Sequence, residues 1–229
     1  MKKGRKPADF SKTMDGIWWI LATGAPWNQL PERYGKWNSV YRFFLRWSKR
    51  GVFEELLEEV VKQSEWDDYK VIDGSHVKVH QDACYECQGD KPQSFGATKG
   101  GRNSKLHAVT NSKGLALKVI IRPGNEAEIK TASEVLGDVS DKIVLADKGY
   151  DSDALREDVW NQGGFANIRG RKNRIKEPLY FKNMGKKRHV VENFFQRVKR
   201  FRRVATRYDR LDCTYLSFVI ISALADWVK

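Results

Sequence analysis

The chain changes from a helical to a strand pattern after residue 66, and from there strands and helices alternate. "KVIDGSHVKV" (Lys70–Val79) has the period of two and the β-branched residues of a strand. "SKLHAVTNSKGLALKVIIRPG" predicts a hairpin whose turn lies at Asn111–Gly114. Helix, strand, helix, short strand and a basic helix follow, in "NEAEIKTASEVLG", "DKIVLADKGY", "SDALREDVWNQGG", "FANIR" and "KKRHVVENFFQRVKRFRR". The order β-β-β-α-β-α-β-α predicts an α/β sheet with helices on its faces.

The first 66 residues predict a small all-helical domain. Helices are expected at Ser11–Thr23, Ser39–Arg50 and Val52–Gln63, with Gly and Pro between them. Five of the eight tryptophans fall within residues 11–63, at spacings typical of the core of a bundle. The sequence therefore predicts two domains, residues 1–66 and 67–229.

The second of these helices is basic on its exposed turns. A basic helix after a turn is compatible with a helix-turn-helix that reads DNA. Small helical bundles with basic faces are also common, so the pattern alone leaves both interpretations open. The residues concerned are Arg42, Arg46, Lys49 and Arg50.

The positive charge lies in two separate parts of the chain. Residues 169–210 hold 16 Lys and Arg against 3 acids, which accounts for the whole net charge of +13. Residues 1–50 hold 11 bases and 3 acids, whereas the middle of the chain is acidic. Two basic blocks around an acidic centre suit a polyanion, and nucleic acid is the first choice. A basic surface without a specific ligand is the alternative.

Composition also predicts the compartment. No secretory signal opens the chain, and three cysteines do not make a disulfide framework, which favours a reducing cytoplasm. The longest apolar stretch, Tyr215–Val228, is short and interrupted by polar residues, so we expect a buried terminal helix and no membrane span.

Two aspartates lie in or next to apolar strands. Asp73 is inside "VIDGS" and Asp147 ends "IVLAD". A carboxylate there is costly unless it is paired or binds a metal, although either could instead cap a turn or pair with a lysine. If the two strands are neighbours, both carboxylates meet at one edge of the sheet. Oxygen ligands of this kind suit Mg²⁺ or Mn²⁺.

Glu192 is the one acid of the basic helix. The apolar residues from Val190 to Val204 form a stripe that must face the sheet, and Glu192 falls opposite its centre. Glu192 can reach a metal only where the helix begins, at the edge of the sheet, and the neighbouring cations favour its ionised form. The alternative is an ordinary surface glutamate that pairs with Arg188.

Asp73, "ADKGYDS" around Asp147, and the spacing Arg188-x3-Glu192-x6-Lys199 together resemble the three signatures of bacterial insertion-sequence transposases of the DDE type, particularly the insertion sequence 5 family. "GATKGG", "PGNEAEIKTA" and "FRRVATRYDRL" are similar to that family between and after the acids. The block "TGAPWNQLPERYGKWNSVYRFFLRWSKRGVFEELL" is similar to its N-terminal DNA-binding region, so the resemblance covers nearly the whole chain.

The resemblance implies an RNase H-like catalytic domain in which Asp73, Asp147 and Glu192 bind two divalent ions. It implies cleavage of double-stranded DNA at the inverted repeats of an element, followed by joining of the 3′-hydroxyls to target DNA by in-line attack on a phosphodiester. The protein would act as a homodimer or higher multimer on DNA, in the bacterial cytoplasm at the nucleoid. Lys199 would contact DNA near the terminal bases; plausible phosphate contacts are Lys148, Arg188, Arg202 and Arg203.

The sequence departs from the family at two points. Gly185 stands where the family usually has a tyrosine, three residues before Arg188, which puts that DNA contact in question. Family members often carry a further helical stretch before "GRKPADF". A start at Met1 predicts weaker end-specific DNA binding, or a truncated or partly decayed copy.

Three other interpretations stay open at this point. His76, His80, Cys84 and Cys87 could form a zinc site, although their spacing matches no common pattern. The protein could be a catalytically inactive DNA-binding relic or regulator of the element. It could also be a nuclease of the same fold that hydrolyses DNA but never joins it.

Overall fold

A computed structural model describes residues 9–65, 67–84 and 93–228. Its first part contains helices α1 (Phe10–Thr23), α2 (Trp37–Lys49) and α3 (Val52–Lys62), which lie within two residues of the predicted bounds. The side chain of Asp9 accepts from the amide of Lys12 and so caps the start of α1. Gly24, at φ 71°, ends it.

The rest of the described chain forms a seven-stranded mixed sheet with helices on both faces, which confirms the predicted α/β class. The strands are β1 (Tyr69–Val79), β2 (Gly96–Thr98), β3 (Gly101–Thr110), β4 (Ala116–Pro123), β5 (Ile143–Ala146), β6 (Phe165–Ile168) and β7 (Thr206–Arg207). The helices are α4 (Ala132–Leu136), α5 (Asp153–Asn161), α6 (Lys182–Gly185), α7 (His189–Val198), α8 (Arg202–Ala205) and α9 (Asp212–Trp227).

The central strand is β1. It pairs antiparallel with β3, which pairs antiparallel with β4, so the predicted hairpin is present. On its other side β1 pairs parallel with β5, and β5 pairs parallel with β6. The β1–β5 pairing covers only Tyr69–Val71, because β5 is much shorter than β1. On the same side, β7 pairs parallel with Lys78 and Val79. Between Val71 and Lys78, the β5 side of β1 is therefore open to side chains from other parts of the fold.

Each face of the sheet has its own apolar core. On one face Ile72 and Val109 pack with α4 and α5, including Val135 and Val159. On the other face the sheet packs against α7 and α9, and the same cluster contains buried residues of the N-terminal helices. The rings of Phe44 in α2 and Phe218 in α9 have centroids 4.4 Å apart. The helices α1 to α3 therefore share a core with α9, and the predicted division at residue 66 stays a prediction.

A fully buried arginine fixes the start of α9. Arg207 is 0% exposed and donates to the Oγ of Ser104 at 2.8 Å and to the carboxylate of Asp212 at 2.6 Å. Its guanidinium lies 4.2 Å from the ring centroid of Phe95. A buried guanidinium must have its donors satisfied, and these contacts tie α9 to β3.

No helix in the described ranges is long and apolar enough to cross a membrane, and α9 is mostly buried.

Replacing Phe44 by alanine should lower the free energy of unfolding by about 3–5 kcal/mol, because the buried ring contacts both α9 and α3 and its loss leaves a cavity. Urea denaturation followed by circular dichroism measures the change. Trp160→Ala is the matched control, since that ring is 73% exposed, and should cost less than about 0.5 kcal/mol. Equal losses in the two variants would show that the N-terminal helices add nothing to this core.

Candidate active site

The two aspartates lie at the edge that the short β5 leaves open. Asp73 is two residues beyond Val71, the last residue of β1 that pairs with β5, and Asp147 follows directly after β5. Burial raises the pKa of Asp73, and the charges of Glu128 and Asp147 act in the same direction. The Gly74 amide and Arg188 act against it. The expectation that neighbouring strands bring Asp73 and Asp147 to one edge is thus met.

Glu192 lies on the first turn of α7 and is exposed. The helix buries Val191, Phe194, Phe195 and Val198, which is the predicted apolar stripe. A 3₁₀ turn at Lys186–Arg188 precedes α7 and brings Arg188 to the same edge. The stripe therefore fixes the helix with its polar side along the end of the sheet.

The guanidinium of Arg188 lies between these carboxylates. Its Nη1 donates to the Oδ2 of Asp73 at 2.8 Å, and its Nη2 donates to the Oε1 of Glu192. Burial works against the charged form of Arg188, but the charges of Asp73, Glu192 and Asp147 raise its pKa. Asp73 and Glu192 thus share one cation, and Glu192 pairs with Arg188 as the alternative interpretation expected.

The three carboxylates suit divalent ions in donor type and in charge. Their oxygens are the ligands that Mg²⁺ and Mn²⁺ prefer, and the Arg188 guanidinium stands in for a cation between them. Among the described residues, however, no three His, Cys, Asp or Glu side chains are grouped closely enough to hold a metal. The guanidinium has to leave before the acids can converge on an ion.

A buried polar network lies next to the acids and was not predicted. The Nδ1 of His107 lies 3.4 Å from the Tyr150 hydroxyl and 3.4 Å from the Thr131 hydroxyl. Burial and the nearby charges of Glu128, Asp73 and Asp147 raise the pKa of Tyr150, so it stays protonated. Burial, followed by the charge of Lys105, lowers the pKa of His107 to about 4. His107, Thr131 and Tyr150 stand far apart in the sequence, and no sequence pattern indicated that they would meet.

Lys199 contacts the central strand instead of solvent. Its Nζ donates to the Oγ of Ser75 and to the carbonyl of His76, both at 2.7 Å. Burial lowers its pKa. Lys199 thus lies beside β1 and contacts Ser75, two residues after Asp73. Its role in DNA binding stays a prediction.

The other predicted DNA contacts differ in exposure. Arg203 is only 7% exposed, and its guanidinium donates to both oxygens of Asp209 at 2.9 and 3.0 Å. This placement argues against the expected phosphate contact, because a buried ion pair would have to break. The remaining exposed positions are Arg42, Arg46, Lys49, Arg50, Lys148 and Arg202.

The glycine at position 185 has a steric explanation. A Cβ at this position would lie 2.0 Å from the Tyr180 hydroxyl, so a side chain cannot fit while Tyr180 is there. The Tyr180 hydroxyl thus fills the space that the first side-chain atom of the family's tyrosine would need.

The predicted zinc site is not assembled in the described part of the chain. His80 stacks on Tyr208, with ring centroids 4.7 Å apart. Cys84 is a free cysteine, and Cys87 lies outside the described residues. His76, His80 and Cys84 are not grouped as metal ligands.

Comparisons with known proteins agree with this geometry. The sequence profile described as "Transposase DDE domain" matches residues 68–225, and the one described as "Putative transposase of IS4/5 family" matches residues 1–57. A Brucella ovis protein described as "Putative transposase for insertion sequence element IS6501" is 32% identical over 128 residues, which are 55% of this chain and 98% of the relative. An uncharacterized Sinorhizobium fredii protein is 33% identical over 70 residues, which are 31% of this chain and 55% of that protein.

A solved structure is similar in fold. The piggyBac transposase synaptic complex with hairpin DNA matches with a TM-score of 0.58 and 9% identity, over 99% of this chain and 67% of that chain. The likeness concerns the fold alone, and it agrees with the predicted RNase H-like sheet.

The low pKa of His107 should make stability depend on pH. The folded-state pKa of about 4 lies below the usual 6.5, so the unfolded chain takes up the proton first. The contribution is complete above about pH 6.5 and is lost as the pH falls toward about 4, by up to ~3 kcal/mol. Urea denaturation at pH 7 and pH 4.5 should show a smaller difference in His107→Gln than in the wild type. An equal difference would contradict this.

Arg188→Gln should lower the melting temperature in the absence of metal, because the partly buried Asp73 loses a charged donor, at a cost of about 1–3 kcal/mol. Added Mn²⁺ should then raise the melting temperature more than in the wild type, because no guanidinium has to be displaced. Differential scanning fluorimetry measures both effects. Arg200→Gln, an exposed position two residues after α7, serves as the control. Equal Mn²⁺ shifts in all three proteins would show that Arg188 and the metal do not compete.

Proposed function

We propose a reaction for this chain, which belongs to the family of transposases with a DDE domain. It cuts DNA at the inverted repeats of an insertion element and joins the freed 3′-hydroxyls to target DNA. One observation carries the proposal. Asp73 and Glu192 come from distant parts of the chain and pair with a single cation at one edge of the sheet, and Asp147 follows the neighbouring strand β5. Carboxylates are the ligands that phosphodiester chemistry with divalent ions uses.

Asp73, Asp147 and Glu192 would hold the ions, two of them, as Mg²⁺ or Mn²⁺. When bound, the ions would activate a water or a 3′-hydroxyl and stabilise the leaving oxygen. The aspartates contribute from the rigid sheet, and Glu192 from the start of a helix anchored by its apolar side. Such support from packed elements keeps the ligands in place during an in-line displacement.

Arg188 would also bind DNA once the ions are present. In this structure its guanidinium neutralises Asp73 and Glu192. Once divalent ions take over that charge, the guanidinium is free to bind a DNA phosphate with two parallel hydrogen bonds. Metal loading and DNA binding would then support each other at one residue.

Double-stranded DNA is the proposed partner, first as the element's inverted repeats and then as the target. The exposed cation Lys148 follows Asp147 directly, and Arg202 and the basic face of α2 would contact further stretches of the duplex. Phosphate contacts of this kind position the protein without reading sequence. Pairing two DNA ends requires at least two copies of the chain, so we propose a dimer or higher multimer on DNA in the bacterial cytoplasm.

The test uses purified protein, Mg²⁺ or Mn²⁺, and DNA that carries the inverted repeats flanking the gene. Asp73→Asn, Asp147→Asn and Glu192→Gln should each reduce cleavage by at least about 10³-fold. DNA affinity in gel-shift assays should stay within about threefold, because the exposed cations remain. Glu157→Gln, an exposed acid on α5, is the control and should cut normally.

Three results would contradict the proposal. A wild-type protein that binds these ends but cuts nothing with either metal would be a silent DNA-binding protein. A wild-type protein that cuts, but never joins a pre-cut end with a free 3′-hydroxyl to target DNA, would be a nuclease. Cleavage that survives the triple substitution would remove these acids from the site altogether.

A further inference from the structure

The segment that connects β6 to α6 begins at the same edge of the sheet as the acids. We call residues 169–181 the β6–α6 loop. Ala146 and Ile168 are Cα partners in the parallel pairing of β5 with β6. Asp147 follows Ala146 directly, and Arg169 follows Ile168 directly. Because parallel strands end at one edge, the loop starts beside the turn that follows Asp147.

A buried carboxylate fastens the loop to that turn. Asp151 is 8% exposed and accepts a hydrogen bond at 2.9 Å from the backbone amide of Arg171. The guanidinium of Arg174 lies 3.3 Å from the same carboxylate. The guanidinium of Arg171 donates to the carbonyls of Lys148 and Gly149, at 3.2 and 2.9 Å. Two arginines of the loop are thus used to hold it in place.

The other cations of the loop are free to bind something else. The loop holds five Lys and Arg against one acid, Glu177. Arg169, Lys172 and Lys176 are exposed, and none of them forms an ion pair with a described residue. Cations held close together repel each other, and a polyanion relieves the repulsion. Three unpaired positive charges therefore lie on a loop that is fastened at the edge of the acids.

An apolar side chain stands among these cations. Ile175 is fully exposed, between Arg174 and Lys176. A single exposed apolar residue is ordinary, but proteins that hold DNA by its phosphates also insert isoleucine or leucine against sugars and base steps. Charge and apolar surface together fit DNA better than a second copy of this chain, because a protein of net charge +13 repels its own cationic loop.

We propose that the β6–α6 loop is a DNA-binding element of the active site. Arg169, Lys172 and Lys176 bind phosphates of the DNA strand that approaches the acids. Ile175 packs against the sugars and bases of the same strand. This inference rests on the proposed function, which supplies DNA as the partner. The buried anchor fixes the loop relative to Asp147, so a phosphate held by the loop is also positioned for the acids.

The salt dependence of DNA binding tests the ionic contacts. Fluorescence anisotropy of a labelled duplex that carries the inverted repeat, without divalent ions and over a series of KCl concentrations, gives the slope of log affinity against log salt. Lys172→Gln combined with Lys176→Gln should reduce the slope by about 2, one for each lost phosphate contact. Lys62→Gln combined with Lys113→Gln removes the same charge from two exposed lysines outside the loop, and should change the slope by less than about 0.5.

Two further variants distinguish an ordered loop from a merely basic surface. Ile175→Ser should weaken binding by about fivefold without changing the slope, because no charge is lost. Binding within twofold of the wild type would contradict the apolar contact. Asp151→Asn removes an acid, which would strengthen binding to any basic surface. In this protein it should weaken binding by about threefold or more, because the loop loses its anchor. Melting temperatures show which variants are folded, and the lysine pair decides the question if Asp151→Asn is not.

The outcomes separate this inference from the proposed function. If the wild type cuts and joins DNA but both lysine pairs keep its slope, the loop does not contact DNA and the proposed function stands. If the substitutions at Lys172 and Lys176 change self-association in sedimentation velocity instead of the slope, the loop is a protein interface and the inference is overturned. A wild type that binds the duplex but cuts nothing refutes the proposed chemistry, while a reduced slope in the loop variant still assigns the DNA contact to the loop.

Discussion

The short parallel pairing of β1 with β5 decides where chemistry can occur. Only Tyr69–Val71 of β1 pairs with β5, although β1 continues to Val79. A parallel sheet brings the carboxyl ends of its strands to one edge, and here that edge falls beside the middle of the central strand. Asp73 is thus held by the rigid antiparallel pairing with β3 on one side while its other side is open. A longer β5 would fill the space that the acids need.

The electrostatics of that edge explain how Glu192 is accommodated in the most basic part of the chain. Several carboxylates close together are unstable without a cation, and in this structure the Arg188 guanidinium supplies it. The basic helix therefore does two things at once. It neutralises Asp73 and Glu192 through Arg188, and in the proposed function it would also place cations where DNA approaches.

Sequence patterns predicted the elements and the three acids because both depend on local periodicity. Strand and helix patterns gave the order of the longer elements along the chain but missed the short strands β2 and β7. An acid in or next to an apolar strand was conspicuous at Asp73 and Asp147. Arg203 looked like any exposed cation of a basic run, and only the fold pairs it with Asp209. Contacts between distant segments leave no trace in periodicity.

The N-terminal helices are tied to the catalytic sheet through α9. Phe44 of α2 packs on Phe218, and Trp27 stacks on the same ring at 6.1 Å between centroids. The other side of α9 lies against the sheet, and α7 with Glu192 belongs to the same core. Close-packed interiors transmit displacement because they contain little free volume. The shared core therefore connects the basic helix α2, through α9, to α7, which carries Glu192.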